Sequence, residues 1–172
     1  CLCARNFFLS RFEAPVPTSP ACNADCLGCL SFQDENSGFC SSQFRLEFSP
    51  SVEEIAQVIL HHFKKVKNGV ASFGQGCEGE PLLRGKDLVN AVSAVRDKTS
   101  DGTININTNG SRPEIVSEMI KAGLDSIRVS LNSPTEKYYM SYHKPVNYAF
   151  KDVIKTIETA LSEGIFVSIN LF

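Results

Sequence analysis

The sequence lacks an excess of charge, a long apolar run and a low-complexity tract, and each absence narrows the classes of protein it can belong to. Its 172 residues carry 17 lysines and arginines against 19 aspartates and glutamates, for a formal net charge of -2. Without a basic excess, a nucleic-acid-binding protein is disfavoured. No apolar stretch approaches the roughly 20 residues of a membrane-spanning helix, so we expect no membrane role.

A secretory signal and a disulfide framework are also missing. No basic segment followed by an apolar one opens the chain. The seven cysteines are odd in number and clustered, unlike those of a small secreted scaffold. The sequence therefore predicts a protein of the reducing cytoplasm. Because the chain begins with Cys1 and ends at Phe172 inside a predicted strand, we expect a fragment of a longer protein, with residues 1–6 as an upstream remnant.

What the sequence does contain is a regular alternation of short β-rich runs and longer segments with helical spacing. Strands are predicted at NFFLSRFE near the start and then at VASFG, TININ, SIRVSLN and IFVSINLF. Helices are predicted over 51–67, 86–98, 111–123 and 150–164, with a short one around TEKYYMSY. Capping-box patterns, Ser51 with Glu54 and Ser111 with Glu114, mark two of the helix starts.

This order of elements predicts parallel strands joined by right-handed crossover helices. About five strands with helices outside them fit either a doubly wound sheet or a barrel, because periodicity alone does not distinguish the two. No linker or short-period repeat divides the chain, so we expect residues 1–172 to form one domain.

The stretch ACNADCLGCLS holds Cys22, Cys26 and Cys29 in the spacing C-x-x-x-C-x-x-C. Three closely spaced thiols in a loop can surround a compact metal centre while leaving one metal position open for chemistry. A structural zinc site completed by Cys40, Cys77 or a histidine is one alternative, and chemically inert thiols are another.

Further motifs follow this loop in an order that resembles the radical S-adenosylmethionine (radical SAM) superfamily. GQGCEGEPLL follows the second predicted strand and resembles the family's Gly-Gly-Glu-Pro segment. NTNG ends the third strand and RVSLNS the fourth, and SINLF resembles the start of the fifth-strand motif. Strand ends are where α/β folds place ligands, so the joint occurrence is more specific than any one motif.

The resemblance implies a fold, a cofactor set and a list of site residues. The fold is a partial (β/α) barrel of the TIM type, truncated after about its fifth strand. A 4Fe-4S cluster is held by three cysteines, and its fourth iron is left for the amino and carboxylate groups of S-adenosyl-L-methionine (SAM). The implied metal ligands are Cys22, Cys26 and Cys29, and the implied cofactor-binding residues are Gly28, Gly79, Glu80, Thr108, Ser130 and Asn170.

The roles that the resemblance implies differ among these residues. Gly79 and Glu80 would orient the methionyl group, and Thr108 would meet cofactor or substrate. Gly28 stands where the family often has an aromatic residue near adenine, so only its backbone could contact that base. Phe32 is a candidate for the missing packing.

The implied activity is reductive cleavage of SAM to methionine and a 5'-deoxyadenosyl radical, which takes a hydrogen atom from a substrate. A flavodoxin or ferredoxin is implied as the electron donor, while the small-molecule or peptide substrate and the catalytic residues are not identified. Two other classes stay open, namely a zinc-binding module and an iron-sulfur electron carrier that does not cleave SAM.

Several residues fall outside these motifs. Cys40 and Cys77 are interpreted as small thiols that pack, and the Cys1-x-Cys3 pair as a candidate for an additional metal site. His61 and His62 are predicted on or beside a solvated helix face. His143 lies among tyrosines in the long loop after the fourth strand, where a substrate could be recognised.

Overall fold

The computed structural model describes residues 2–171 of the chain. Cys1 of the candidate Cys1-x-Cys3 pair and Phe172 of the last predicted strand lie outside the described residues. No helix within residues 2–171 is long and apolar enough to cross a membrane.

Over these residues the chain alternates between strands and helices. The strands are β1 (Glu13–Pro15), β2 (Val70–Phe73), β3 (Thr103–Thr108), β4 (Ser126–Asn132) and β5 (Phe166–Leu171). The α-helices are α1 (Leu2–Phe8), α2 (Val52–Lys65), α3 (Gly85–Arg96), α4 (Pro113–Ala122), α5 (Glu136–His143) and α6 (Phe150–Ser162). Short 3-10 turns lie at Glu35–Ser37 and Pro81–Arg84.

The strands form one parallel sheet in the order β1-β2-β3-β4-β5, so each strand is hydrogen-bonded to the next one in the chain. A doubly wound sheet would reverse its order at a switch point. This sheet does not reverse, so the structure resolves the two alternatives in favour of barrel-type winding. The sheet stays open over the described residues, as expected for part of a barrel.

The helices form a layer on one face of the sheet. In this layer α2 packs on α3, α3 on α4 and α4 on α6. Between helices and strands lies the apolar core, to which β3 and β4 contribute fully buried side chains, among them Ile104, Ile106, Ile127 and Val129. Branched residues at alternating strand positions are typical of a surface that helices cover.

The other face of the sheet carries polar side chains that bond to one another from strand to strand. The Ser72 hydroxyl donates to Glu13 Oε1 at 2.5 Å, and Asn105 Nδ2 donates to Ser72 Oγ at 3.3 Å. The Ser126 hydroxyl then donates to Asn105 Oδ1 at 2.8 Å. These four residues, the polar ladder, satisfy one another across β1 to β4.

Most predicted elements are confirmed, and the capping box at Ser51 and Glu54 is present. The strand predicted at NFFLSRFE is wrong, because Leu2–Phe8 is helical and the first strand covers only Glu13–Pro15. Its continuous apolar run fits a helix as well as a strand, and α1 packs against β1. The capping box predicted at Ser111 and Glu114 is also wrong, since no side chain caps α4.

His62 is a further correction to the sequence analysis. Only 2% of its surface is exposed, and its Nε2 lies 3.3 Å from the Phe12 carbonyl oxygen. The His62 ring is therefore packed inside the protein and not on a solvated helix face. His61 is exposed, as expected.

Candidate functional site

A cavity of about 140 Å³ opens at the carboxyl ends of β2, β3 and β4. Its wall includes six of the predicted site residues, namely Cys22, Cys26, Gly79, Glu80, Thr108 and Ser130. Ligand pockets commonly measure roughly 300–1,000 Å³, so this cavity accommodates only part of a nucleoside-sized ligand. His143 lies on the same wall.

The cysteine loop, residues 21–31, is held in place by hydrogen bonds to other parts of the chain. The first of these come from two residues that follow β2. Gly79 N–H donates to the Ser19 carbonyl at 2.7 Å, and Glu80 N–H donates to the Ala21 carbonyl at 2.8 Å. A Cβ on residue 79 would lie 2.1 Å from the Ala21 oxygen, so only glycine permits this approach. The backbone just before Cys22 is therefore fixed against the glycine-rich loop.

Glu78 strengthens the same contact from inside the protein. Its Oε2 accepts hydrogen bonds from the Thr18 and Ser19 N–H groups and the Thr18 hydroxyl at 2.8–3.0 Å, and its Oε1 accepts one from Gly74 N–H at 2.5 Å. The sequence analysis missed this structural role. Burial raises the pKa of the Glu78 carboxyl to about 7, against the lowering effect of these donors.

The end of β3 holds the middle of the cysteine loop. Asn109 Nδ2 donates to Asn23 Oδ1 at 2.8 Å, and Asn23 Nδ2 donates to Ser111 Oγ at 3.0 Å. The Ser111 hydroxyl that was predicted to cap α4 is thus bonded to the cysteine loop. A hydrogen bond with Asn23, which is distant in sequence, takes the place of the predicted bond to the start of α4.

The segment after α5 holds the remaining side of the loop. Asp25 N–H donates to the His143 carbonyl and Leu27 N–H to the Tyr142 carbonyl, both at 3.0 Å. Val146 N–H donates back to the Asn23 carbonyl at 2.8 Å. Together with the contacts at β2 and β3, the loop is fastened to three consecutive strand–helix connections.

Glu80 is buried, and most of its acceptor positions are occupied by the chain. Its Oε1 accepts from the Thr108 hydroxyl at 2.5 Å and Leu82 N–H at 3.0 Å, while Oε2 accepts from Asn109 N–H at 2.9 Å. A carboxylate oxygen has two lone pairs, so Oε2 keeps one acceptor position. Burial raises the pKa of Glu80, and the hydrogen bonds oppose that rise.

The three thiols of the loop have different electrostatic surroundings. Burial raises the pKa of Cys22, with Glu80 adding to the effect, and burial and the neighbouring Cys22 and Cys29 raise that of Cys26 to about 12. For Cys29 burial acts in the same direction, but hydrogen bonds from Ser31 and Arg45 outweigh it and lower the pKa. Cys29 is therefore the most readily ionised of the three.

The three thiols are a donor set that an iron-sulfur cluster can use. Within residues 2–171, no three His, Cys, Asp or Glu side chains are placed to hold one ion. A tetrahedral zinc site needs four ligands around one point, whereas a cube takes one thiolate per iron. Three thiols on one loop could therefore each bind a different iron of a cube.

His143 is a site residue whose role the sequence did not reveal. It is 3% exposed, its Nδ1 lies 3.2 Å from Cys26 Sγ, and its ring stacks on Tyr139 at 4.3 Å between centroids. Burial lowers its pKa to about 4. A histidine among tyrosines after a strand end was the available signal, but its contact spans 117 residues of chain.

The remaining predicted site residues do not line this cavity. Asn170 pairs with Ser130 across β4 and β5, and Gly28 lies against Tyr142, whose Oη would be 2.5 Å from a Cβ there. Cys29 lies beside Arg45, with Sγ 3.6 Å from Nη2. Phe32 is half exposed, with its ring 5.2 Å from the Arg45 guanidinium.

A larger cavity of about 880 Å³ lies elsewhere, between α1, α2 and the segment 44–50. Its lining is mainly apolar and includes Phe7, Phe44 and Phe48. The smaller cavity is the better candidate for the functional site, because it brings thiols, carboxylate, hydroxyls and imidazole together at the strand ends.

Two solved structures share the fold of this chain. The structure of the FeFe-hydrogenase maturase HydG from Carboxydothermus hydrogenoformans has a TM-score of 0.64 at 18% identity, over 91% of this chain and 35% of that one. Methylornithine synthase (PylB) has the same TM-score at 14% identity, over 92% of this chain and 44% of that one. These similarities show a shared partial barrel.

In sequence, this chain is similar to curated proteins that share one name. A probable GTP 3',8-cyclase of Aeropyrum pernix is 32% identical over 159 residues, which are 91% of this chain and 41% of that protein. A protein of the same name from Thermoplasma volcanium is 30% identical, over 87% of this chain and 41% of its own length. This chain therefore spans about two-fifths of these relatives.

A family model covers almost the whole chain. The model of the Radical SAM superfamily matches residues 16–172, from just after β1 to the final strand. The matched region contains the cysteine loop and all three connections that hold it. The chain belongs to the radical SAM superfamily.

Proposed function

We propose that this chain binds a 4Fe-4S cluster through Cys22, Cys26 and Cys29 and binds SAM at the adjoining strand ends. When bound, the reduced cluster supplies the electron that splits SAM into methionine and a 5'-deoxyadenosyl radical, and that radical takes hydrogen from a substrate. A flavodoxin or ferredoxin of the reducing cytoplasm supplies the electron.

One observation carries the proposal. The loop with the three thiols is hydrogen-bonded to three successive strand–helix connections, and two of its thiols share a cavity wall with Gly79, Glu80 and Thr108. A loop that merely carried inert thiols would not need such fixation. Preorganised ligands reduce the ordering that metal binding would otherwise require.

The polar residues of the wall have distinct proposed roles. The free acceptor position on Glu80 Oε2 suits an ammonium donor such as the methionyl amino group of SAM. Thr108 orients Glu80 through its hydroxyl, and Gly110 N–H donates to the same hydroxyl at 3.0 Å. Ser130, on the same cavity wall, and Asn170, its partner on β5, would also contact the cofactor.

The proposal is tested by reconstituting the full chain with iron and sulfide without oxygen, followed by dithionite and SAM. We expect 5'-deoxyadenosine from the wild-type protein and none from Cys26→Ala. Cys40→Ala is the matched control, because this thiol lies outside the loop and is exposed, contrary to the interpretation that it packs. It should retain the product.

Two outcomes would favour the other classes. A colourless protein that binds zinc and ignores dithionite would be a zinc module. A fully loaded brown protein that forms no 5'-deoxyadenosine would be an electron carrier. Either outcome contradicts the proposal.

We propose GTP as the first substrate to test, because two relatives at 30–32% identity are named probable GTP 3',8-cyclases. A new bond at C3' requires loss of the hydrogen there. GTP deuterated at C3' should therefore give 5'-deoxyadenosine that contains deuterium. Unlabelled product with GTP present would exclude GTP and leave SAM cleavage intact.

A further inference from the structure

Two of the three proposed cluster ligands are contacted by nitrogen groups from outside their loop. His143 Nδ1 lies 3.2 Å from Cys26 Sγ, and Arg45 Nη2 lies 3.6 Å from Cys29 Sγ. These nitrogen–sulfur distances are within hydrogen-bonding range. Both residues follow the cysteine loop in the sequence, and His143 is 117 residues from Cys26.

His143 is held firmly in this position. Its ring stacks on Tyr139 with an interplanar angle of 29°, and the Tyr142 ring packs edge-on with centroids 5.1 Å apart. Its backbone carbonyl accepts from Asp25 N–H, next to Cys26. Ring stacking and this backbone hydrogen bond therefore both hold the imidazole beside Cys26.

Chemistry sets the direction of the Cys26 hydrogen bond once metal is bound. A cysteine ligand is a thiolate without a proton, so its sulfur can only accept. Nδ1 of His143 must then carry the hydrogen, and Nε2 of the neutral ring has a lone pair. Nε2 is buried and has no hydrogen-bond partner within residues 2–171, which is compatible with this tautomer.

Arg45 is fixed by a separate set of contacts. Its Nε donates to Ser31 Oγ at 3.0 Å, and Ser31 in turn donates to the Glu78 carbonyl at 2.9 Å. Its guanidinium also lies over the Phe32 ring at 5.2 Å. A guanidinium keeps its protons in proteins, so it always donates to Cys29.

We infer that His143 and Arg45 are positioning residues that raise the reduction potential of the cluster by donating N–H···S hydrogen bonds to Cys26 and Cys29. The inference rests on the proposed function. Reduction adds negative charge to the cluster and its sulfurs, and hydrogen-bond donors and a nearby cation stabilise that charge.

The test is a redox titration of the reconstituted full chain without SAM, followed by the electron paramagnetic resonance signal of the reduced cluster. His143→Phe keeps the ring but removes the donor, and we expect at least a tenfold fall in the one-electron reduction constant, about 59 mV. Arg45→Met should shift the potential in the same direction. His61→Phe is the control, since this histidine is exposed on α2, and it should leave the potential unchanged.

A pair of amide variants separates hydrogen bonding from packing. The His143→Asn amide can donate near the Nδ1 position and should restore the wild-type potential. The His143→Gln amide reaches the Nε2 position and should behave like Phe. This pair also carries the test if the Phe variant does not retain a cluster.

The two levels of inference fail in different ways. Loaded clusters with the same potential in wild type, His143→Gln and Arg45→Met would overturn the donor role and leave the proposed function standing. A wild-type chain that retains iron but forms no 4Fe-4S cluster would overturn both.

Discussion

The two faces of the sheet are stabilised by different physical means. The face toward the helices buries Ile104, Ile106 and their neighbours, and its contribution depends on apolar area and close packing. The other face and the strand ends are stabilised by directed hydrogen bonds, such as those of the polar ladder and of Glu78. The first arrangement depends on buried volume and area, whereas the second depends on individual donor and acceptor atoms.

The largest expected effect comes from a change on the helix-facing side. Ile106→Ala should lower the free energy of unfolding by roughly 2–5 kcal/mol, because Ile106 is fully buried. Chemical denaturation measures this loss. The folded fraction should still load the cluster at wild-type stoichiometry, since the site is elsewhere. Loss of loading in folded protein would contradict the separation of the two faces.

A smaller loss of stability with a larger loss of metal is expected from Gly79→Ala. The added Cβ would meet the Ala21 oxygen, so the cysteine loop must shift, at a cost of about 1–3 kcal/mol. Iron content after reconstitution should fall by a larger fraction of its wild-type value than the free energy of unfolding does. Gly164→Ala is the control: its Cβ meets nothing within 4 Å, but a φ of +79° strains alanine there, so this variant should lose stability without displacing the cysteine loop. Equal iron content in both variants would argue against the steric account.

The smallest effect, taken per pH unit, is a pH dependence that originates in Glu78. Folding raises the pKa of this carboxyl from 4.5 to about 7, so the folded protein binds an extra proton between these values. Stability from Glu78 is therefore full below about pH 4.5 and falls as pH rises toward 7, with a slope of at most about 1.4 kcal/mol per pH unit.

Unfolding titrations of wild type and Glu78→Gln measure this contribution as a difference. His143, with a pKa lowered to about 4, contributes stability that is lost as pH falls, and it does so in both proteins. Only the wild-type protein should also lose stability through Glu78 as the pH rises toward 7. Parallel pH profiles would show that Glu78 does not change protonation on folding.

Local signals explain why much of the fold could be predicted. The Ser51 cap, the apolar spacing of α2 and the left-handed Gly123 after α4 depend on neighbouring residues, and all are present in the structure. The first strand was wrong because a run such as FFL fits helix and strand equally well, so packing of α1 on β1 decided it.

The arrangement of the site could be predicted only in part. Motif order placed Cys22, Gly79, Glu80 and Thr108 near one another, because parallel strand ends lie at one edge. The contact of His143 with Cys26 could not be predicted, since no local pattern encodes a contact over 117 residues.

The fastening of the cysteine loop has a consequence for the order of events during synthesis. The thiols leave the ribosome well before all of the backbone partners of their loop, which extend to Val146. The nascent chain therefore carries these thiols without all of their backbone partners until the segment after α5 has been synthesised. Loading of the proposed cluster would follow that step, so the loop is completed much later than its own place in the sequence suggests.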